Sequence, residues 1–295
     1  MLELRDLQYL NTLARVKHFA KAAAECGVSQ PAFSMRIRNL EDRLGITIVR
    51  RANRYQGLTA EGEAILRHAR RILDDVRFLE QDLLAAGGEI SGPLTLGVVP
   101  TAAAQAARLA IHLFKAYPGI VARIETSTSL VIQQRIEEGT IDAGITYSDN
   151  VSTDFVAVEP LYEEHYVLLA PVLLAPRLRG SVTWAEAAEI PLSLLEPGMQ
   201  NRRILDRMFA EVGAQPRVIS ETNALTTSMV MARAGACATV VPSVLLDTLG
   251  PLKGTVALPL VEPELRKAIC LVTSARAPGL PTVEALRHAL VDFKR

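Results

Sequence analysis

Residues 19–45 read FAKAAAECGVSQPAFSMRIRNLEDRLG. Ala20, Ala22, Ala23 and Ala24 let a short helix, Phe19–Cys26, pack closely on its neighbours. Gly27 ends it, because a residue with no Cβ enters the left-handed region cheaply. Ser29 then supplies an N-cap, and Pro31 falls in the first turn of the next helix, where a missing N–H costs little. Phe33, Ile37, Leu40 and Leu44 follow at spacings of four, three and four, a buried helical face, and Gly45 closes the helix. Gln30, Ser34, Arg36 and Arg38 lie off that face. Upstream, Leu4, Leu7, Leu10 and Leu13 form the apolar stripe of a first helix. Downstream, an apolar strand (Ile46, Ile48, Val49), a basic tip (Arg50, Arg51, Arg54) and a return to Leu58 read as a β-wing.

Two short helices meeting at a glycine turn, the second presenting short polar and basic side chains near its N-terminus, match a recognition helix. Small side chains admit it to the major groove, where Gln, Ser and Arg bond base edges or phosphates. Charge points the same way. Residues 1–58 hold ten Lys/Arg against five Asp/Glu in a chain of zero net charge, so a basic module sits on a mildly acidic body. A generic three-helix bundle with a basic loop is the competing reading.

The set Leu7, Phe19, Ala22, Ala23, Val28, Ser29-Gln30-Pro31-Ala32, Ser34, Ile37, Leu40, Glu41, Leu44, Gly45, Arg51, Arg54, Leu58, Thr59 and Gly62 resembles the LysR-type transcriptional regulators in order and spacing. The resemblance extends more loosely over the remaining chain. It implies a homodimer assembling to a homotetramer on double-stranded operator DNA, an interrupted inverted repeat. It also implies control by a small effector, contact with RNA polymerase and work in the cytoplasm. The expected DNA-binding residues are Ser29, Gln30, Pro31, Ser34, Met35, Arg36, Arg38, Arg50, Arg51 and Arg54. Two departures stand out: Met35 replaces a frequent Arg, and Lys17-His18 a frequent Gly-Ser pair. Met35 can touch a thymine methyl but cannot bond guanine.

Thr59 opens a long helix in which Leu58, Gly62, Ile65, Ala69, Ile72, Val76, Leu79 and Leu83 alternate steps of four and three, a coiled-coil period. Ile65, Ala69, Ile72, Val76, Leu79 and Leu83 are therefore the expected dimer seam; packing on the protein's own body is the alternative. A two-fold dimer would set two recognition helices on a palindromic site.

Beyond Pro93 strands and helices alternate, which predicts α/β architecture with a mostly parallel sheet. The expected order is a winged helix-turn-helix (1–58), a linker helix (59–87), a hinge (88–92) and an effector domain (93–295). Two lobes are expected in the last, about 93–161 with 266–295, and about 162–265. Crossing strands between such lobes resemble the periplasmic-binding-protein fold, which the family also implies. Ligands in such sheets bind beyond the carboxyl ends of strands. Thr101, Ser129, Gln200 and Asn201, with Thr128, Arg202 and Thr222 around them, are the expected effector residues. Each is equally readable as an ordinary helix cap. Because helix N-termini favour anions, the expected effector is a small carboxylate or similar anion. Glu196–Asp206 resembles a stretch of LysR-type proteins associated with formate dehydrogenase operons, which adds formate metabolism to the expectations.

No GxSxG, HExxH, P-loop or GxGxxG occurs, so a regulator is expected rather than an enzyme, and no cofactor. Cys26, Cys237 and Cys270 form no CxxC and the five histidines are scattered, so neither disulfides nor a metal site are expected. Cys237 and Cys270 fall in apolar stretches, where cysteine is an inert small hydrophobe. The polar N-terminus lacks a signal peptide, and no apolar run approaches the roughly 20 residues that span a bilayer, so no membrane partner is expected.

Overall fold

The computed structural model describes residues 2–51, 55–86, 89–152, 156–174, 180–275 and 279–293. The chain divides into two compact units, Met1–Gly87 and Gly88–Arg295.

The first unit comprises α1 (Leu4–Val16), α2 (Phe19–Glu25), α3 (Gln30–Leu44), strands β1 (Val49–Arg51) and β2 (Tyr55–Leu58), and α4 (Ala60–Ala86). Leu10, Leu13, Ala22, Ala23, Phe33, Ile37 and Leu40 build its core. Leu4 and Leu44, at helix ends, are exposed, and Glu41 takes the inward place expected of Leu44. The reason is a polar one: Glu41 Oε1 accepts from the N–H groups of Ile48 (2.9 Å) and Val49 (3.0 Å), fixing where the wing begins. A second buried carboxylate, Asp6, accepts from Arg36 Nε at 2.7 Å and from Arg43, tying α1 to α3. β1 and β2 pair antiparallel, as a wing requires. Thr59 Oγ1 caps α4 by accepting from Gly62 N at 3.0 Å. Gly62 lies against β1's approach so closely that a Cβ there would meet Ile48 O at 2.3 Å, so only glycine fits.

The second unit runs β3 (Gly92–Val98), α5 (Ala103–Ala116), β4 (Ile120–Thr126), α6 (Ser129–Glu137), β5 (Ala143–Tyr147), β6 (Val156–Pro171), β7 (Val182–Thr183), α7 (Trp184–Ala188), β8 (Leu192–Leu195), α8 (Gln200–Glu211), β9 (Val218–Thr222), α9 (Leu225–Arg233), β10 (Thr239–Pro242), α10 (Ser243–Leu249), β11 (Thr255–Val261), β12 (Arg266–Ser274) and α11 (Pro281–Phe293). Strands β4-β3-β5 are parallel, as the βαβαβ rhythm predicts. The sheet as a whole is mixed, not mostly parallel: β12 runs antiparallel to β5 and β6, and β10 and β11 antiparallel to β6. The cause is β6 itself. One strand of 16 residues pairs with β12 in its first half and with β10 and β11 in its second. It therefore belongs to both lobes. A separate parallel pair, β8-β9, carries α8 and α9.

No helix among the described residues is long and apolar enough to cross a membrane. Among the described residues, no cluster of His, Cys, Asp and Glu fit for a metal is found.

Candidate DNA interface and effector site

The outer face of α3 follows from its cap. Ser29 Oγ accepts from Ala32 N at 3.4 Å, and Pro31 occupies the first turn. With Phe33, Ile37 and Leu40 buried, the geometry turns Gln30, Pro31, Met35 and Arg38 to solvent, with Ser34 half-buried among them. Arg50 is exposed on β1, whose last residue is Arg51; Arg54 lies outside the described residues. Arg36 departs from expectation. Its guanidinium is directed to Asp6 and Glu3, a link between helices rather than a free contact. Sequence reasoning missed a polar hollow of about 840 Å³ beside Gln30, walled by Lys17, His18, Phe19, Tyr55 and Gln56. The departing Lys17-His18 pair was its signal: Lys17 adopts φ 54° at the end of α1, and His18 Nδ1 accepts from Lys21 N to start α2.

The long helix divides by burial. Leu66 is buried in the first unit's own core with Ile65 packed beside it, Ala69 is likewise buried within the chain, and Arg70 Nε donates to Asn11 of α1 at 3.2 Å. Ala69 thus serves its own domain, not a seam. Ile72, Leu79 and Leu83 are exposed, at 38%, 57% and 66%, and Val76 is half-buried.

In the second unit the candidate effector residues separate into two kinds. Thr128 Oγ1 caps α6 by accepting from Val131 N at 3.3 Å, and Thr222 Oγ1 accepts from Ala224 N at 3.2 Å. Arg202 Nη1 donates to Leu195 O (2.9 Å) and Glu221 (2.8 Å), and its Nε to Asp206 (2.8 Å). These three hold local structure. Thr101, Ser129 and Asn201 are buried differently. Ser129 Oγ and both amide atoms of Asn201 have no hydrogen-bond partner, a costly state for buried polar groups. Gln200, next to Asn201 at the start of α8, is half-buried.

A chain of hydroxyls joins the lobes. Thr101 Oγ1 lies 2.9 Å from Tyr147 OH. Tyr147 OH donates to Glu164 Oε2 at 3.0 Å, and Tyr166 OH donates to the same oxygen at 2.7 Å. Thr101 and Tyr147 follow or end first-lobe strands, Tyr166 sits in the second-lobe half of β6, and Glu164 occupies the crossing point. Asn201 borders the Tyr147 hydroxyl. Burial pushes the Glu164 carboxyl up to about 7, against the opposing pull of the hydroxyls around it, that of Tyr166 first. Sequence reasoning missed Glu164 and its tyrosines. The alternation Tyr162, Glu164, Tyr166 was a usable signal, since period two puts all three on one face of β6. Nearby, a cavity of about 480 Å³ is walled chiefly by Ala104, Met199, Leu225, Met229, Leu245 and Leu249.

A winged helix-turn-helix in one unit and a two-lobed α/β sensor in the other define a ligand-responsive transcriptional regulator. Residues 4–63 match the bacterial regulatory helix-turn-helix protein model of the lysR family, and residues 87–295 the LysR substrate binding domain model. The chain belongs to the LysR family of DNA-binding transcriptional regulators. It is 30% identical to the DNA-binding transcriptional dual regulator OxyR of Escherichia coli, over 98% of this chain and 95% of that one. It is equally 30% identical to the SDS degradation transcriptional activation protein of a Pseudomonas species, over 99% of this chain and 96% of that one. A full-length OxyR variant from Pseudomonas aeruginosa superposes with a TM-score of 0.74 at 26% identity, covering 100% of this chain and 95% of that one.

Proposed function

We propose that this regulator binds operator DNA through α3 and the wing, and that a small effector held at the inter-lobe cluster controls that binding or the bend it imposes. The single observation behind the effector site is the hydroxyl chain from Thr101 to Tyr166, flanked by the unpartnered Asn201 amide. Thr101, Ser129, Gln200 and Asn201 hold the ligand; Thr128, Arg202 and Thr222 support the elements that carry them. A ligand touching both lobes differs in affinity between open and closed arrangements, which is what a conformational signal requires. Relatives of equal identity bear names tied to different processes, a hydrogen peroxide-inducible genes activator of Escherichia coli and an SDS degradation activator, so the effector is argued from this chain's own residues. Peroxide sensing through the two thiols of the effector domain fits poorly. Cys237 and Cys270 are buried and their thiols pushed up by desolvation, whereas an oxidant-reactive cysteine must be accessible and ionised. The formate connection rests on Glu196–Asp206 alone, and formate belongs in the ligand panel.

The exposed residues Ile72, Leu79 and Leu83, with the half-buried Val76, form the seam of a homodimer that pairs into a homotetramer on DNA in the cytoplasm, where it contacts RNA polymerase. At the DNA, Gln30, Ser34 and Met35 read base edges, while Ser29, Pro31, Arg38, Arg50, Arg51 and Arg54 position the helix and wing on phosphates. Gln30→Ala is expected to reduce discrimination between operator and random DNA by roughly 1–3 kcal/mol. Arg51→Ala is expected to weaken both alike and to lower the salt slope by about one. Titrations on both DNAs at several salt concentrations check this; equal binding by wild type and both variants would falsify the surface. Thr101→Val keeps the side chain's shape and deletes its hydroxyl. It is expected to weaken an effector identified by thermal-shift screening by roughly tenfold, about the net worth of one good hydrogen bond. Operator affinity without effector should stay near wild type; undiminished effector binding in both Thr101→Val and Gln200→Ala would displace the pocket.

A further inference from the structure

The buried carboxylate at the lobe crossing determines the charge its ligand must carry, given that the inter-lobe cluster is the effector site. Glu164 is fully buried. Its Oε2 is saturated by two tyrosine hydroxyls, while Oε1 accepts from nothing. Asn201 Oδ1 is likewise open, and Thr101 Oγ1 retains acceptor capacity beside Tyr147. Once Glu164 is ionised, above about pH 7, an anion entering here would bring a second negative charge next to the first in dry surroundings, where like charges repel strongly. Arg202, the cation among the outer effector candidates, is engaged by Asp206 and Glu221.

We propose that the effector presents a protonated nitrogen, an ammonium or guanidinium, to Glu164 Oε1, with Asn201 Oδ1 and Thr101 Oγ1 as further acceptors, and lays an apolar body in the neighbouring cavity. An ammonium carries three donors and no acceptor, the complement of this acceptor set. A cation removes the main cost of burying Glu164 by pairing it, whereas a neutral donor would leave the charge uncompensated. The body's place follows from the walls. Pro100 and Met199 line the 480 Å³ cavity, and they immediately precede Thr101 and Gln200-Asn201 in the chain. That volume is within the usual range for small-molecule sites. Met199 and Met229 in its wall adapt to bodies of varied shape. This replaces the small anion expected from helix N-termini alone. Those termini are still present, but a carboxylate buried at the crossing outweighs partial dipole charges that fade within a turn.

The test uses one alkyl chain with three heads: hexylammonium, hexanol and hexanoate, titrated calorimetrically into the full-length protein at about pH 8, where Glu164 is ionised. Hexylammonium is expected to bind at least about tenfold tighter than hexanoate. In Glu164→Gln that preference should disappear, with hexanol binding little changed. Hexanoate binding as tightly as hexylammonium, or no binding of hexylammonium to the wild type, overturns the charge assignment. The wild-type ranking needs no variant to fold. If hexanoate wins and its binding is lost in Asn201→Leu, the site reading survives while the charge assignment falls. Binding of every probe indifferent to both Asn201→Leu and Thr101→Val overturns the site reading itself.

Discussion

Leu79→Glu is expected to leave each chain folded and to weaken self-association by at least about 3 kcal/mol, more than a hundredfold in dimer Kd. The argument begins with exposure. Leu79 is 57% exposed on α4, with Leu83 and Ile72 exposed along the same heptad face. A substitution there removes no contact from the chain's own core. In a two-fold seam, however, Leu79 of each helix packs against the partner, so each glutamate would bury a charge in an apolar interface. Sedimentation should show a smaller species, and operator binding should weaken with it because two recognition helices are no longer coupled. Ala69→Glu offers the contrast: Ala69 is buried within its own chain, so that variant should lose stability of the unit itself. Unchanged assembly in Leu79→Glu would mean that α4 is not the seam.

The second large effect concerns pH. Glu164→Gln is expected to remove a pH dependence of unfolding that runs between about 4.5 and about 7. In the folded state burial raises the Glu164 carboxyl to about 7 from an ordinary 4.5. The folded chain therefore holds this proton more tightly than the unfolded one. The associated stability is fully present below the ordinary value and is lost as pH rises through about 7. The shift corresponds to about 3 kcal/mol at about 1.4 kcal/mol per unit. Tyr147, Tyr162 and Tyr166 around it are all pushed up by burial and stay neutral throughout, so the carboxyl is the titrating member of the group. Glutamine keeps the shape and cannot ionise. Urea unfolding at about pH 5 and about pH 8 should show wild type losing stability between the two while the variant loses much less. Parallel losses would mean that Glu164 titrates in the folded state much as it does in the unfolded chain.

The DNA-binding half was legible in the sequence because its determinants are local. Helix caps, a glycine turn, a period of three and four and a basic hairpin tip all act within a few residues. Ser29, Gly27, Phe33 and Ile37 stand in the structure in the roles their positions imply. Arg36 and Ala69 were not legible in the same way. Whether an arginine off the buried face meets solvent or a carboxylate depends on where another helix places Asp6, 30 residues away. Whether a heptad position faces a partner or its own domain depends on how far α1 reaches along α4, and periodicity is the same in both cases.

The effector half shows the same division more sharply. Alternating patterns and strand-end hydroxyls placed Thr101, Ser129 and Asn201 near a cleft, since strand ends and helix starts are read from chemistry along the chain. The sequence by itself also determined the order of the modules and their family. Which polar groups are used up locally and which are left open was decided only by tertiary structure. Thr128 and Thr222 found backbone partners two or three residues on, while the Asn201 amide found none. Glu164 and Tyr166 are brought against Thr101 and Tyr147 because β6 runs through both lobes, pairing with β12 on one side and with β10 and β11 on the other. A carboxylate's charge partner, and so the sign of the ligand it selects, depends on long-range pairing of strands, a property that no local spacing in the chain encodes.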